Sequence, residues 1–358
     1  PKQGIQTVFR HIYDAGIKVK VITGDNTATT KTIAKQAGIL NNAEAIEGKD
    51  VVNLSEKQLL KEVEEKTLFT RMYPEAKLSV INALKKKGEV VAMLGDGVND
   101  GPALKAAHIG VAMGNKGTEI AKAAASLVIT NDDLDKLIVG IAAGRRIYSN
   151  LKKAIQYIIS IHIPIILTVT LPLFLGWIFP HIFTPVHVIF LELVMGPTCS
   201  IVYENEPLEK NIMNQKPRIM TETFLNWKEL AISIIQGLVI TLGVLFIYQW
   251  SVWIGGNEEK TRALVFTTLI FANVFLSLVN RSFYYSVLAC FKHKNILFPI
   301  VIGATLLMLF LILYINPFAN FFKLTGLNLK EMIIAMLVAV ISVLWMEIYK
   351  WAKRRRLS

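Results

Sequence analysis

The stretch MLGDGVNDGPAL, Met93 to Leu104, sets two aspartates, an asparagine and three glycines into one short turn. It follows the apolar run EVVAM, so the two carboxylates, Asp96 and Asp100, lie four residues apart at the end of a predicted buried strand. Like charges placed so close repel each other and draw a cation or a proton between them.

The surroundings of this turn define a fold class. Upstream, IKVKVITGD reads as a strand over Ile17–Ile22, followed by a turn and a helix through Thr32 to Ala37. A strand is expected near Leu68, then a helix that Pro74 starts and Gly88 ends. After the central strand come a short helix in GPALKAA and strands in IGVAM and SLVIT. Strands alternating with helices imply a mainly parallel, Rossmann-like sheet covered on both faces. Sites in such sheets lie outside the carboxyl ends of the strands. The polar clusters fall there: Thr23-Gly24-Asp25 after one strand, Gly95-Asp96 after another, and Lys77 in the helix after a third.

A hydroxyl, backbone donors, a lysine and an acidic pair around one point suit phosphoryl transfer. Thr23 and Lys77 would supply donors and positive charge, and Asp96 and Asp100 would hold Mg²⁺, a hard ion that prefers oxygen. Taken alone, GDG is better explained by tight turns and helix caps. Its combination with TGD and with the RxxPxxK spacing of Arg71 to Lys77 favours the functional reading.

Composition divides the chain. Its 358 residues are 53% hydrophobic, with a mean hydropathy of +0.45, too apolar for an ordinary soluble domain. Roughly the first 150 residues read as soluble, and after Lys153 long apolar runs dominate. Six spans are expected, at about Ile155–Phe179, Val186–Tyr203, Leu230–Ile254, Ala263–Val279, Ile296–Ile315 and Met332–Lys350. A long helix, capped by Asn131 or Asp132, would run from water into the first of them.

The net charge of +12 could suggest nucleic acid. However, the basic residues gather at the edges of the apolar runs, which points to a membrane's inner leaflet and to no nucleic-acid partner. Lys152, Lys153, Lys210, Lys216, Arg218, Arg281, Lys292, Lys294 and the KRRR tail fall on one side, while HIFTPVH opposite has no Lys or Arg. Head and carboxyl terminus are therefore expected in the cytoplasm. The two cysteines, Cys199 and Cys290, sit in or beside apolar runs and argue against a disulfide framework. Pro1 in place of Met sets the expectation of a piece of a longer chain.

The stretches VITGDN, RMYPEAK, MLGDGVNDGPALKAAHIGVAMG and GRRIYSNLKKAIQY resemble the second half of a P-type cation-transporting ATPase of the type II, calcium-pump-like group. The resemblance covers essentially the whole chain. It implies an α/β haloacid-dehalogenase-like domain followed by a six-helix transmembrane bundle: the carboxyl-terminal part of a phosphorylation domain at 1–132, a stalk helix at 133–154 and a membrane domain at 155–358. It implies Mg²⁺ and ATP as cofactors, and catalytic roles for Thr23, Gly24, Asp25, Lys77, Asp96, Asn99 and Asp100. Arg71 and Asn99 would join Thr23, Gly24, Asp25 and Lys77 in holding nucleotide and phosphate. The phosphorylated aspartate of the family lies in a DKTGT sequence, which does not occur here. A missing amino-terminal half, with actuator, nucleotide-binding domain and first helices, is the implied partner, and this chain alone is expected to be inactive. Leu94 and Gly101 stand where many members have Thr and Ala; neither change removes a phosphate or metal ligand.

Within the spans, IHIPI places His162 and Pro164 near the middle of the first, and LELVMGPTCS places Glu192 near the middle of the second, just before Gly196-Pro197. Proline removes a backbone donor and frees carbonyls, and a carboxylate at bilayer depth is a functional candidate. Calcium pumps of this type carry a carboxylate and an amide in the first span and an Asn, Thr and Asp set in the second. Here those positions hold His162 and Ile165, then Glu192, Met195 and Gly196; Ile270 replaces a family glutamate, with Asn273 one turn later. His162, Glu192 and Asn273 are the expected ligands of one transported ion, calcium or another single cation. A proton or other monovalent cation is the alternative, as is a membrane-anchored phosphatase or inactive scaffold. The plasma membrane is the expected location.

Overall fold

The computed structural model describes residues 2, 4–209, 212–219, 221–290 and 295–355; Lys210, Lys292, Lys294 and Arg356 lie outside them. Two compact units divide the chain: Pro1–Arg145 with Leu208–Glu222, and Arg146–Pro207 with Thr223–Ser358.

The first unit carries two three-stranded parallel ladders. One pairs β1 (Val21–Ile22), β3 (Leu68–Thr70) and β2 (Ala45–Glu47) in the order β1-β3-β2. The other pairs β4 (Ala92–Gly95), β5 (Ile109–Met113) and β6 (Leu127–Ile129) in that order. The expected single sheet is thus two ladders, but Ile22 and Leu84 pack against the cores of both. The strand expected over Ile17–Ile22 pairs only at Val21 and Ile22. The helix after it begins earlier than expected, at Thr27, because Asn26 Oδ1 accepts the Thr29 amide at 2.9 Å and caps it. The helix Pro74–Lys86 has the expected bounds, with proline in its first turn and Gly88 in the left-handed region at φ 81°.

The second unit is helical, and the protein is an integral membrane protein; among the described residues six helices are long and apolar enough to cross a bilayer. They are Asp135–Phe174, Pro185–Tyr203, Trp227–Trp253, Glu258–Val279, Leu297–Tyr314 and Leu329–Arg355. The first runs unbroken for 40 residues through Pro164 and Pro172 and ends at Phe174, short of the expected Phe179. Its expected cap is corrected. Asp133 Oδ1 accepts the Asp135 amide at 3.1 Å, while the Asp132 carboxylate is drawn off to the amides of Asn115 and Lys116.

Pro164 leaves the Ser160 carbonyl without its helical donor, and Gly237 of the third span lies against that carbonyl. A Cβ at position 237 would stand 2.8 Å from the Ser160 oxygen, so only glycine lets the helices approach there. The fourth span is the buried centre of this unit, with Leu264, Val265, Phe266, Ile270 and Leu276 all in its core.

Several polar side chains are buried with it. Arg281 and Glu206 form a two-pronged ion pair at 2.8 and 3.3 Å, and Asn295 donates to the same carboxylate at 2.9 Å. Lys350 donates to the Val279 carbonyl and to Glu347. Arg281 and Lys153, counted above among the charges of the membrane edge, are both buried.

Candidate functional site

The carboxyl ends of β1, β3 and β4 carry the polar residues that the first site needs. After β1, the Thr23 hydroxyl accepts the Asp25 amide at 3.1 Å, which fixes a tight turn with Gly24 and Asp25 exposed. That turn is stitched to the segment after β3: Arg71 donates its amide to the Asp25 carbonyl, and Met72 to that of Thr23, both at 2.9 Å. Arg71 pays for this turn with a left-handed φ of 50°, and its guanidinium lies 3.5 Å from Glu47.

After β4, the two aspartates part company. Asp100 is buried, its Oδ1 accepting from Lys77 Nζ at 2.6 Å. Its Oδ2 accepts the amides of Asp96 and Gly97 at 3.3 and 3.2 Å. Gly95 makes this possible, because a Cβ there would fall 2.6 Å from that of Asp100. Lys77, in the first turn of its helix, is buried too. Asp96 and Asn99 remain exposed at the mouth of the turn. A carboxylate with three donors has little left to offer a metal; the open one beside it, Asp96, has the oxygen chemistry that Mg²⁺ takes. Asp100, expected as a second ligand, faces Lys77 instead.

The second site lies in the membrane unit. His162 Nε2 of the first span is 3.2 Å from Glu192 Oε1 of the second, with the side chains 36% and 47% exposed. These two, paired on sequence grounds alone, are neighbours. Asn273, the third expected ligand, is buried, and its amide oxygen is taken by the Tyr157 hydroxyl. Beyond Pro197 the second span continues as a π-helix over Thr198–Tyr203, a local widening that often accompanies function. Sequence reasoning missed Tyr157 and Glu206; an apolar run gives no sign of which of its polar residues meet.

Two family models match the chain. Residues 1–108 match haloacid dehalogenase-like hydrolases, and residues 180–352 match the carboxyl-terminal region of cation transporting ATPases. The chain is similar to calcium-transporting ATPase 1 of Bacillus cereus, 32% identical over 99% of this chain and 41% of that protein. It is also similar to calcium-transporting ATPase 1 of Lactococcus lactis, 32% identical over 99% of this chain and 40% of that protein. With human calcium-transporting ATPase type 2C member 1 it shares 27% identity over 99% of this chain and 39% of that protein. The chain thus spans about two fifths of the length of the curated relatives it matches.

Proposed function

The chain belongs with the P-type cation-transporting ATPases, matching the carboxyl-terminal part of calcium-pump-like members, and from that premise we propose that it works within an ATP-driven pump for a single cation. Its reaction would pass through an aspartyl phosphate on a residue that this sequence does not contain. In this reading 1–132 is part of the phosphorylation domain, 133–154 the stalk and 155–358 the membrane domain. Head and carboxyl terminus face the cytoplasm, and the pump sits in the plasma membrane.

Asp96 would hold Mg²⁺. The bound ion supplies positive charge to the phosphoryl oxygens as negative charge develops on them. Asp100 holds Lys77 in place and is neutralised by it, so the lysine reaches the mouth of the site with its geometry fixed. The Thr23 hydroxyl, the exposed turn at Gly24 and Asp25, and the Asn99 amide orient the phosphoryl group, with Arg71 on the nucleotide side. His162 and Glu192 bind the transported cation, and Asn273 steadies Tyr157 in the same bundle.

The observation that carries this reading is the unequal treatment of the two aspartates: Asp100 is locked to Lys77, and Asp96 is left open at the strand end. The test is trapping of phosphoenzyme from ATP in the full-length protein. Asp96→Ala should lower its formation rate by about two to three orders of magnitude, the usual cost of losing one electrostatic element. Normal phosphorylation of the variant would remove Asp96 from the site.

A further inference from the structure

The His162–Glu192 pair has a feature that identifies the class of its ligand. His162 Nδ1 lies 2.8 Å from the Ile158 carbonyl oxygen, one turn earlier on its own helix. A carbonyl only accepts, so Nδ1 carries the proton and donates it. In the neutral ring Nε2 is then a bare lone pair, and it faces a carboxylate oxygen at 3.2 Å. Two acceptors so placed repel each other unless something positive joins them: a proton or a metal ion. The backbone bond to Nδ1 is also the partner that metal-bound imidazoles use to fix their tautomer and orientation.

On the reading of the chain as a cation pump, we infer that its transported ion is a first-row transition divalent cation of the Mn²⁺-to-Zn²⁺ class, with His162 Nε2 and Glu192 as adjacent ligands. Metal bonds of about 2.0–2.2 Å meeting near a right angle put nitrogen and oxygen about 3 Å apart, which is the spacing seen. An imidazole with a carboxylate suits these ions.

Calcium asks for six to eight oxygens, and at three of the positions where calcium pumps of this type carry oxygen ligands this chain has apolar side chains. Ile165, Met195 and Ile270 are buried apolar side chains. Among the described residues, no three His, Cys, Asp or Glu side chains gather as a metal cluster. The remaining shell falls to water and backbone oxygen. One backbone candidate is the carbonyl of Leu193, next in sequence to Glu192. Pro197 has no amide to give it, and the next amide, Thr198, goes to Met195. Within this chain the two side chains are 36% and 47% exposed.

The test uses the full-length protein in nanodiscs, with excess Mg²⁺ to fill the head's all-oxygen site. MnCl₂ is added and the bound ion read by pulsed electron paramagnetic resonance for coupling to a directly ligated ¹⁴N, then displaced by CaCl₂ or ZnCl₂. The expected result is a ¹⁴N coupling in the wild type, displacement by Zn²⁺, and Ca²⁺ at least about tenfold weaker than Mn²⁺. His162→Asn should lose the coupling and weaken Mn²⁺ by at least about tenfold, the scale on which metal sites respond to loss of an imidazole's support. Bound Mn²⁺ without nitrogen coupling, displaced equally by Ca²⁺, would overturn the inference and leave the pump reading standing. ATP hydrolysis driven by acid pH, with no Mn²⁺ bound beyond the head site, would overturn it in favour of the proton. Hydrolysis that responds to no cation and no pH would bring down the pump reading itself.

Discussion

The head and the membrane unit each hold a carboxylate pressed against a nitrogen base, and the two pairs are built in opposite ways. Lys77 and Asp100 are buried, 2.6 Å apart, and the second oxygen of the aspartate is bound to backbone amides. His162 and Glu192 stand 3.2 Å apart and remain about a third to a half exposed. The first pair is closed, and its aspartate accepts the amide of its open neighbour, Asp96. The second pair is open and is itself the candidate binding site. A third pair, Glu206 with Arg281, is closed like the first, and Asn295 and Arg281 satisfy its carboxylate. Burial of an ion pair therefore does not mark function. An unsatisfied group next to one, or within one, does.

The comparison can be broken by substitution. Lys77→Met should abolish phosphoenzyme in the full-length protein and also destabilise the head by about 3–5 kcal/mol, because Asp100 becomes a buried charge without its partner. Phosphorylation at the wild-type rate would show that the closed pair positions nothing. Arg281→Met should cost a similar 3–5 kcal/mol in the membrane unit, for the same reason. The choice of cation should not change, and a changed ion preference would mean that Glu206 shares the transport site. Lys86→Met removes an exposed pair with Glu56, 59% and 65% accessible. It should shift stability by less than about 1 kcal/mol and leave phosphorylation alone. Effects equal to those of Lys77→Met would misplace the head site.

Much of this was legible because it is local. TGD, RxxPxxK and GDGVND each place their residues within one turn of chain, and the six spans are long apolar runs that no soluble helix needs. What escaped notice depends on residues distant in sequence. β2 at Ala45–Glu47 has only three half-buried residues and pairs through Leu68–Thr70, 23 positions on. The segment Leu208–Glu222 belongs to the head unit because Arg145 donates to the carbonyls of Ile212 and Gln215 at 2.9 Å and of Ala15 at 2.6 Å. Pro164 was expected to free a carbonyl, and nothing local shows what meets it: the helix runs on unbroken, and the close approach comes from a glycine on another helix, Gly237, beside the Ser160 carbonyl. The partner of Asp100 illustrates the same limit: the spacing of two aspartates indicates repulsion, but not which of them a lysine will neutralise.

The central claim is that Glu192 joins cation binding in the membrane to ATP hydrolysis at the head. The direct measurement is ATP hydrolysis by the full-length protein, wild type against Glu192→Gln, across a panel of cations and a range of pH. The account predicts that one divalent metal stimulates the wild type and that Glu192→Gln is flat to it, with unchanged thermal unfolding. Equal stimulation of both proteins by the same ion would contradict the account and put the transport site elsewhere.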